Sequence, residues 1–85
     1  MIKVNLLAVS VGNTRTRVGT FVEGKLVEAA LLENRKDDEL GASLERAFSP
    51  LRERVDAVVL MASVNPPLAE RIERTIAERL HREVR

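Results

Sequence analysis

The sequence predicts an α/β domain with one mixed sheet, built in the order strand, strand, strand, helix, strand, helix. Two stretches, residues 6–11 and 57–62, are apolar on both faces, which is typical of central strands buried between layers. A Gly-Asn turn at residues 12–13 joins the first stretch to an alternating run, and this pattern predicts an antiparallel hairpin. Apolar residues at helical spacing lie on both sides of the second stretch, as in layered α/β sheets.

Length and composition limit the chain to one small domain. Its 85 residues are 45% hydrophobic and 32% charged, which suits a globular chain, and only 2% are aromatic, so the core must be aliphatic. The net charge of +1 gives no reason to expect binding to nucleic acid or to an anionic membrane. The absence of cysteine excludes disulfides and thiol catalysis. With no signal-peptide pattern and no membrane-length apolar run, we expect a cytoplasmic protein without nucleic-acid or membrane partners.

The first part of the chain is predicted to form three strands, at residues 4–11, 15–22 and 25–33. Apolar and polar residues alternate in the second strand, and Glu23-Gly24 forms the turn into the third. Residues 29–32 are alanines and leucines that could equally form a helix, so the end of the third strand stays open.

Two helices are predicted on either side of the strand at residues 57–62. The first spans residues 38–48, where Asp37 or Asp38 can cap its first turn. The second begins at Pro67, and its apolar face continues at helical spacing to Val84.

Two residues in the second half of the chain are interpreted as structural. His81 is expected to be a solvated residue of the last helix, in which Glu78 and Arg82 form an exposed ion pair at i,i+4. Asn65, between the last strand and the last helix, is expected to turn the chain into that helix.

The turn at residues 12–14 is the strongest candidate site. It follows a central strand and carries small, hydrogen-bonding residues, whose backbone N–H groups and hydroxyl can bind a phosphate. The residues alone leave open whether it is a phosphate loop or only a tight hairpin turn. Ser10 is interpreted as a polar residue ending the strand rather than a nucleophile, because no histidine lies near it in the sequence.

The pattern as a whole resembles the type III pantothenate kinases of the acetate kinase/sugar kinase/Hsp70/actin superfamily. The resemblance is carried by four segments: LAVSVGNTRT at 7–16, GKL at 24–26, DEL at 38–40 and ASVNPPL at 62–68. The family opens with Asp-x-Gly-Asn-Thr, and its fourth strand commonly ends in an Ala-Ser-Val-x-Pro-x-Leu-like segment. The implied fold is a ribonuclease-H-like (actin-like ATPase) half-domain with a mixed sheet in the order β-β-β-α-β-α.

The resemblance implies phosphorylation of pantothenate by ATP, with Mg²⁺, at the first step of coenzyme A synthesis. ATP and pantothenate would then be the partners. Residue by residue, it implies that Gly12, Asn13 and Thr14 form the phosphate-binding loop. Arg15 and Thr16 would flank that loop in the ATP site, and no residue of this chain matches a catalytic role.

Two departures from the family pattern bear on activity. Ser10 replaces the family aspartate that helps to hold Mg²⁺, and a neutral hydroxyl is a weaker ligand for a hard cation, so a weakened metal site is implied. The family's Gly-x-Asp-Arg segment, which supplies the catalytic base and much of the pantothenate pocket, has no counterpart in these 85 residues. Residues 1–85 are therefore expected to be a single N-terminal half-domain, truncated relative to the family and inactive alone.

Two other interpretations stay open. The chain could be a nucleotide-binding module that lost catalysis with the change at Ser10. It could also be a regulatory or assembly protein, since the family includes proteins first described as accessory factors for transcription. In every case the strand at residues 57–62 lacks an outer neighbour, so we expect a homo-oligomer or pairing with a second half-domain.

Overall fold

A computed structural model describes residues 3–35 and 37–85, with the side chains of Asp37 and Asp38 outside the description. The strands are β1 (Leu6–Val11), β2 (Arg15–Val22), β3 (Lys25–Glu33) and β4 (Val58–Ser63). The helices are α1 (Asp37–Phe48) and α2 (Pro66–Leu80), and a 3-10 turn at Ser49–Leu51 follows α1. This order confirms the predicted one. The predicted cap by Asp37 or Asp38 falls outside the described side chains.

The strands form one mixed sheet in the order β3-β2-β1-β4. β2 is antiparallel to both β1 and β3, whereas β4 is parallel to β1, so α1 lies in the crossover between two parallel strands. The open question about residues 29–32 is answered in favour of a strand, because β3 pairs with β2 as far as Glu33, opposite Arg15.

The core lies between one face of the sheet and the two helices. Alternate strand residues and one stripe of each helix are buried there, among them Leu7, Val9, Val11, Val18, Leu44, Phe48, Val59, Ile72 and Ile76. We call the other face, which includes Ala8, Ser10, Arg17, Gly19, Leu31, Leu60 and Ala62, the open face. The prediction that the strand at residues 57–62 is buried on both faces is wrong here: Val59 is buried, but Leu60 and Ala62 are exposed. The reason is that both helices pack on the same side.

The last residues depart from the predicted helix. α2 ends at Leu80 because His81 adopts a left-handed conformation, with φ 56° and ψ 40°. Val84 instead forms a parallel bridge with Val59. The N–H of Arg85 donates to the Val59 carbonyl at 2.7 Å, and the Met61 N–H donates to the Arg85 carbonyl at 3.2 Å. The prediction that the strand at residues 57–62 lacks an outer neighbour is therefore wrong between Val59 and Met61, where the last residues of the chain pair with β4.

Arg82 also lies outside the helix, so the predicted i,i+4 pair with Glu78 is wrong. Its guanidinium is 5.3 Å from the centroid of the Phe48 ring, an arrangement that favours a cation–π contact. Within the described ranges, neither helix is long and apolar enough to cross a bilayer.

Candidate functional site

The connection between β1 and β2, residues 12–15, is a tight turn that we call the hairpin tip. The N–H of Gly12 donates to the Arg15 carbonyl at 2.9 Å. A Cβ atom at Gly12 would lie 2.8 Å from that carbonyl oxygen, so the close approach of the two sides of the turn requires glycine. The turn leaves Asn13, Thr14 and Arg15 exposed at the carboxyl end of β1. The backbone N–H groups of Asn13 and Thr14 have no partner in the described part of the chain.

Asn34, in the connection between β3 and α1, forms hydrogen bonds that hold the hairpin tip in place. Its Nδ2 donates to the Gly12 carbonyl at 2.7 Å, and its Oδ1 accepts from Thr16 Oγ1 at 2.8 Å. Its own N–H donates to the Thr14 carbonyl at 2.9 Å. Three positions of the hairpin are therefore bonded to one residue. Thr16, predicted to flank a phosphate, is 1% exposed and supports the tip from inside.

A depression of about 410 Å³ lies beside the hairpin tip. It is lined by Asn13, Thr14, Arg15, Glu33, Asn34 and Arg35. Arg35 is tied to Glu33, with Nε 3.3 Å from Oε2, while Arg15 makes no ion pair among the residues that the structure describes. Backbone amides, a hydroxyl and guanidinium groups are the donors that bind phosphate oxygens. The tip therefore carries donor groups of the kind that bind a small anion.

Ser10 lies apart from this depression, on the open face. Its neighbour across β2 is Arg17 and its neighbour on β4 is Ala62. These three residues line a trough of about 800 Å³ over the open face. Ser10 and the hairpin tip thus border different cavities, although both belong to the end of the same strand.

The donors beside Ser10 do not suit a divalent cation. Ser10 supplies one neutral oxygen, the cationic residue Arg17 is its cross-strand partner, and none of the described residues that line the trough is acidic. In the described ranges, no group of three or more His, Cys, Asp or Glu side chains could hold a metal ion. Because Mg²⁺ in phosphoryl-transfer sites is usually bound through one or two carboxylates besides phosphates and water, the residues around Ser10 do not fit a Mg²⁺ site.

Two of the four segments that carry the family resemblance, residues 7–16 and 62–68, meet at the carboxyl ends of β1 and β4. The Val64 N–H donates to the Val11 carbonyl at 3.0 Å, so the end of β4 lies beside the start of the hairpin tip. The side chain of Asn65 does not cap α2, and its backbone N–H donates to Ser63 Oγ at 2.9 Å. Asn65 therefore belongs to the turn into the helix, as expected.

Sequence reasoning missed Asn34. It stands in a polar loop, and its partners at Gly12 and Thr16 are 22 and 18 residues away. Its position next to the end of a strand that pairs with β2 is the only signal that could have pointed to it.

The element order and the mixed sheet are those of an actin-like ATPase fold. Among solved structures, the ethanolamine utilization protein EutJ from Carboxydothermus hydrogenoformans is similar, with a TM-score of 0.53 and 12% sequence identity. The match covers 95% of this chain and 43% of the EutJ chain. At this identity the likeness concerns the fold alone.

The family model for type III pantothenate kinase matches residues 6–85. The chain belongs to the type III pantothenate kinase family, which confirms the resemblance found in the sequence. A comparison with curated proteins finds no significant match.

Proposed function

We propose that residues 1–85 are the N-terminal half-domain of a pantothenate-kinase-like protein and that the hairpin tip binds the phosphoryl groups of ATP. The observation that carries this proposal is that Asn13 and Thr14 are exposed and that their N–H groups have no partner in the described chain. They lie beside Arg15 and Arg35 in the same depression. Family membership supplies the identity of the anion, since pantothenate kinases take their phosphoryl group from ATP.

In this proposal each residue of the hairpin tip has a different role in binding phosphate. Gly12 permits the tight turn, Asn13 and Thr14 offer backbone amides and a hydroxyl, and Arg15 adds a guanidinium. Thr16 makes no contact with the ligand, because its hydroxyl is already bonded to Asn34 inside the domain.

The complete reaction is proposed to be the phosphorylation of pantothenate. The ligands of Mg²⁺ and the pantothenate pocket would then be supplied by residues other than these 85. The donor set at Ser10 does not fit the metal, and none of the described residues takes a catalytic role. We therefore propose that this chain alone binds nucleotide without turning over pantothenate.

The neutral Ser10 beside Arg17 also favours the second candidate, a nucleotide-binding module without catalysis. The two candidates separate when a C-terminal half-domain of the family is added in a coupled ATP/pantothenate assay. Restored turnover supports the kinase fragment. ATP binding without turnover in the wild-type chain, together with a gain of Mg²⁺-ATP binding in Ser10→Asp, supports the module.

We further propose a cytoplasmic protein whose open face is covered by another protein surface, in a homo-oligomer or by a second half-domain. Leu26, Leu31 and Leu60 are about half exposed there, with relative exposures of 57%, 53% and 45%. Arg85 bonds to β4 only at Val59 and Met61, which leaves the rest of that edge for a further strand.

ATP titration of two matched glycine variants tests the proposal. In Gly12→Ala, the new Cβ would lie 2.8 Å from the Arg15 carbonyl oxygen, so the tip must change shape. We expect its ATP affinity to fall by about tenfold or more, as measured by calorimetry.

Gly19→Ala places the same methyl group in the same hairpin but 3.4 Å from a flexible Leu26 atom, and it should keep the wild-type affinity. A wild-type chain that binds no ATP, or equal affinities of the two variants, would overturn the proposal.

A further inference from the structure

Each end of β1 is held by a buried or half-buried asparagine. Asn5, 6% exposed, precedes the strand. Its Nδ2 lies 3.1 Å from both carboxylate oxygens of Asp56, and its Oδ1 accepts from the Glu23 N–H at 3.0 Å. Asn34 acts at the other end, where its side chain bonds to Gly12 and Thr16. The same side chain thus ties distant parts of the chain together at both ends of one strand.

The two clusters differ in what they hold. The partners of Asn5 are an acidic side chain and the β2–β3 turn. The partners of Asn34 are two backbone carbonyls and a hydroxyl of the hairpin that carries the candidate phosphate loop. At the Asn34 end, the asparagine bonds to backbone groups of an exposed turn that lines a depression together with Arg15 and Arg35.

Peptide geometry connects Asn34 to the ligand-facing donors. In a trans peptide, the carbonyl of one residue and the N–H of the next point in opposite directions, and the described chain has no cis bonds. Because Asn34 Nδ2 holds the Gly12 carbonyl, the N–H of Asn13 points away from Asn34. That N–H is one of the two unpartnered donors of the tip.

We propose that Asn34 is the positioning residue of the phosphate loop: it fixes the Gly12–Asn13 peptide so that the Asn13 N–H is aimed at a phosphoryl oxygen. This inference rests on the proposed function and adds a residue that the family resemblance did not supply. The role needs one donor and one acceptor on the same side chain, with Nδ2 bonded to Gly12 and Oδ1 bonded to Thr16. Aspartate has the same shape but lacks the donor.

The test uses the ligand-free and ATP-bound chain, followed by amide NMR and calorimetry. In Asn34→Asp, a carboxylate oxygen replaces the Nδ2 that lies 2.7 Å from the Gly12 carbonyl, so this contact becomes repulsive. We expect the amide signals of residues 12–15 to shift without ligand and ATP affinity to fall by about tenfold or more. Thr16→Val, which removes only the hydroxyl that donates to Asn34, should shift the same signals and weaken ATP binding by about threefold.

Two controls separate positioning from general stability. Asn5→Ala breaks the cluster at the other end of β1, and Thr20→Val removes a buried hydroxyl that donates to the Ala47 carbonyl at 2.6 Å. Both should lower the melting temperature but keep the tip signals and the ATP affinity within about twofold. If they weaken ATP binding as much as Asn34→Asp does, the effect is one of stability and the proposal is overturned.

Failure of the proposed function gives a different result. If the wild-type chain binds no ATP, the phosphate loop is refuted, while the ligand-free amide signals still decide whether Asn34 sets the tip conformation. If Asn34→Asp does not fold, Thr16→Val tests the same proposal, because valine keeps the shape of the buried threonine side chain and removes only its bond to Asn34. Unchanged tip signals and ATP affinity in the folded Asn34 or Thr16 variants would overturn the proposal.

Discussion

The two faces of the sheet are made by alternate residues of the same strands, yet they differ in what covers them. On the covered face, Leu7 and Val59 are completely buried under α1 and α2. On the open face, Ser10 of β1 and Leu60 of β4 remain exposed. Hydrophobicity alone does not account for this difference, because apolar residues stand on both faces of β4. The positions of the helices account for it.

Polar residues show the same contrast. Thr20, on the covered face, donates to the carbonyl of Ala47, one of the last carbonyls of α1, which have no partner within the helix. Ser10 and Arg17, on the open face, make no hydrogen bond or ion pair through their side chains in the part of the chain that is described. The covered face therefore uses Thr20 to fix the fold, whereas Ser10 and Arg17 on the open face take no part in the side-chain hydrogen bonding of the described residues.

The largest expected effect on the free energy of unfolding comes from truncating a leucine of the covered face, and a leucine of the open face serves as its comparison. Leu44 of α1 is 0% exposed, whereas Leu31 of β3 is 53% exposed. Leu44→Ala should lower the free energy of unfolding by about 2–5 kcal/mol, because it removes buried contacts and leaves a cavity. A chain of this size has only roughly 4–13 kcal/mol in total, so the loss is severe. Leu31→Ala should cost less than about 1 kcal/mol.

Urea unfolding followed by circular dichroism measures both variants. Equal losses would mean that the open face is covered in solution, and the contrast between the two faces would then describe only the isolated chain. The slope of the unfolding transition should remain unchanged if both variants unfold in two states.

How far the sequence predicts the structure depends on whether the signal is local. The turn residues at 12–13 and 23–24, together with period-two alternation, were enough to predict the hairpins. Helical spacing was enough to place α1 and most of α2. The end of α2 could not be predicted, because Val84 continues the helical spacing although His81 already turns left-handed and sends the chain to β4.

Features that depend on distant residues were beyond the sequence. An apolar run such as that at residues 57–62 does not reveal that β4 has helices on one side only, since this depends on the strand order and on both crossovers. Asn34 gave no sign of its bonds to Gly12 and Thr16, because a single sequence does not show which loops meet. The candidate loop was found from its residues, but the residue that holds it in place was not.

A change in association is the second way to test the contrast. Lysine at Leu31 and Leu60 places two charges on the open face without touching the core. If this face joins two copies, Leu31→Lys combined with Leu60→Lys should weaken self-association by about tenfold or more in sedimentation experiments. The free energy of unfolding of the monomer should stay within about 1 kcal/mol.

Val55→Lys is the matched control for association. Among the described residues, Val55 is the most exposed of the large apolar ones, at 94%, but it lies outside the trough of the open face. It should leave self-association unchanged. A wild-type chain that stays monomeric at high concentration contradicts the homo-oligomer and leaves a second half-domain as the partner to look for.

The smallest effect is expected from the ion pair that joins the two helices on their outer side. Arg79 of α2 lies 3.3 Å from Glu45 of α1, with side-chain exposures of 47% and 41%. Water and salt screen such a pair, so Glu45→Gln should cost about 0.5 kcal/mol or less in urea unfolding, and the difference should shrink further at high salt. Arg79→Gln is the reciprocal control and should give the same small loss. If either variant instead costs as much as a buried leucine, charge pairing rather than apolar contact holds the helices on the covered face. A loss of about 0.5 kcal/mol or less, by contrast, would mean that buried residues such as Leu44 and Ile76 hold the helices together. The stability of the covered face would then come from the apolar layer beneath the ion pair.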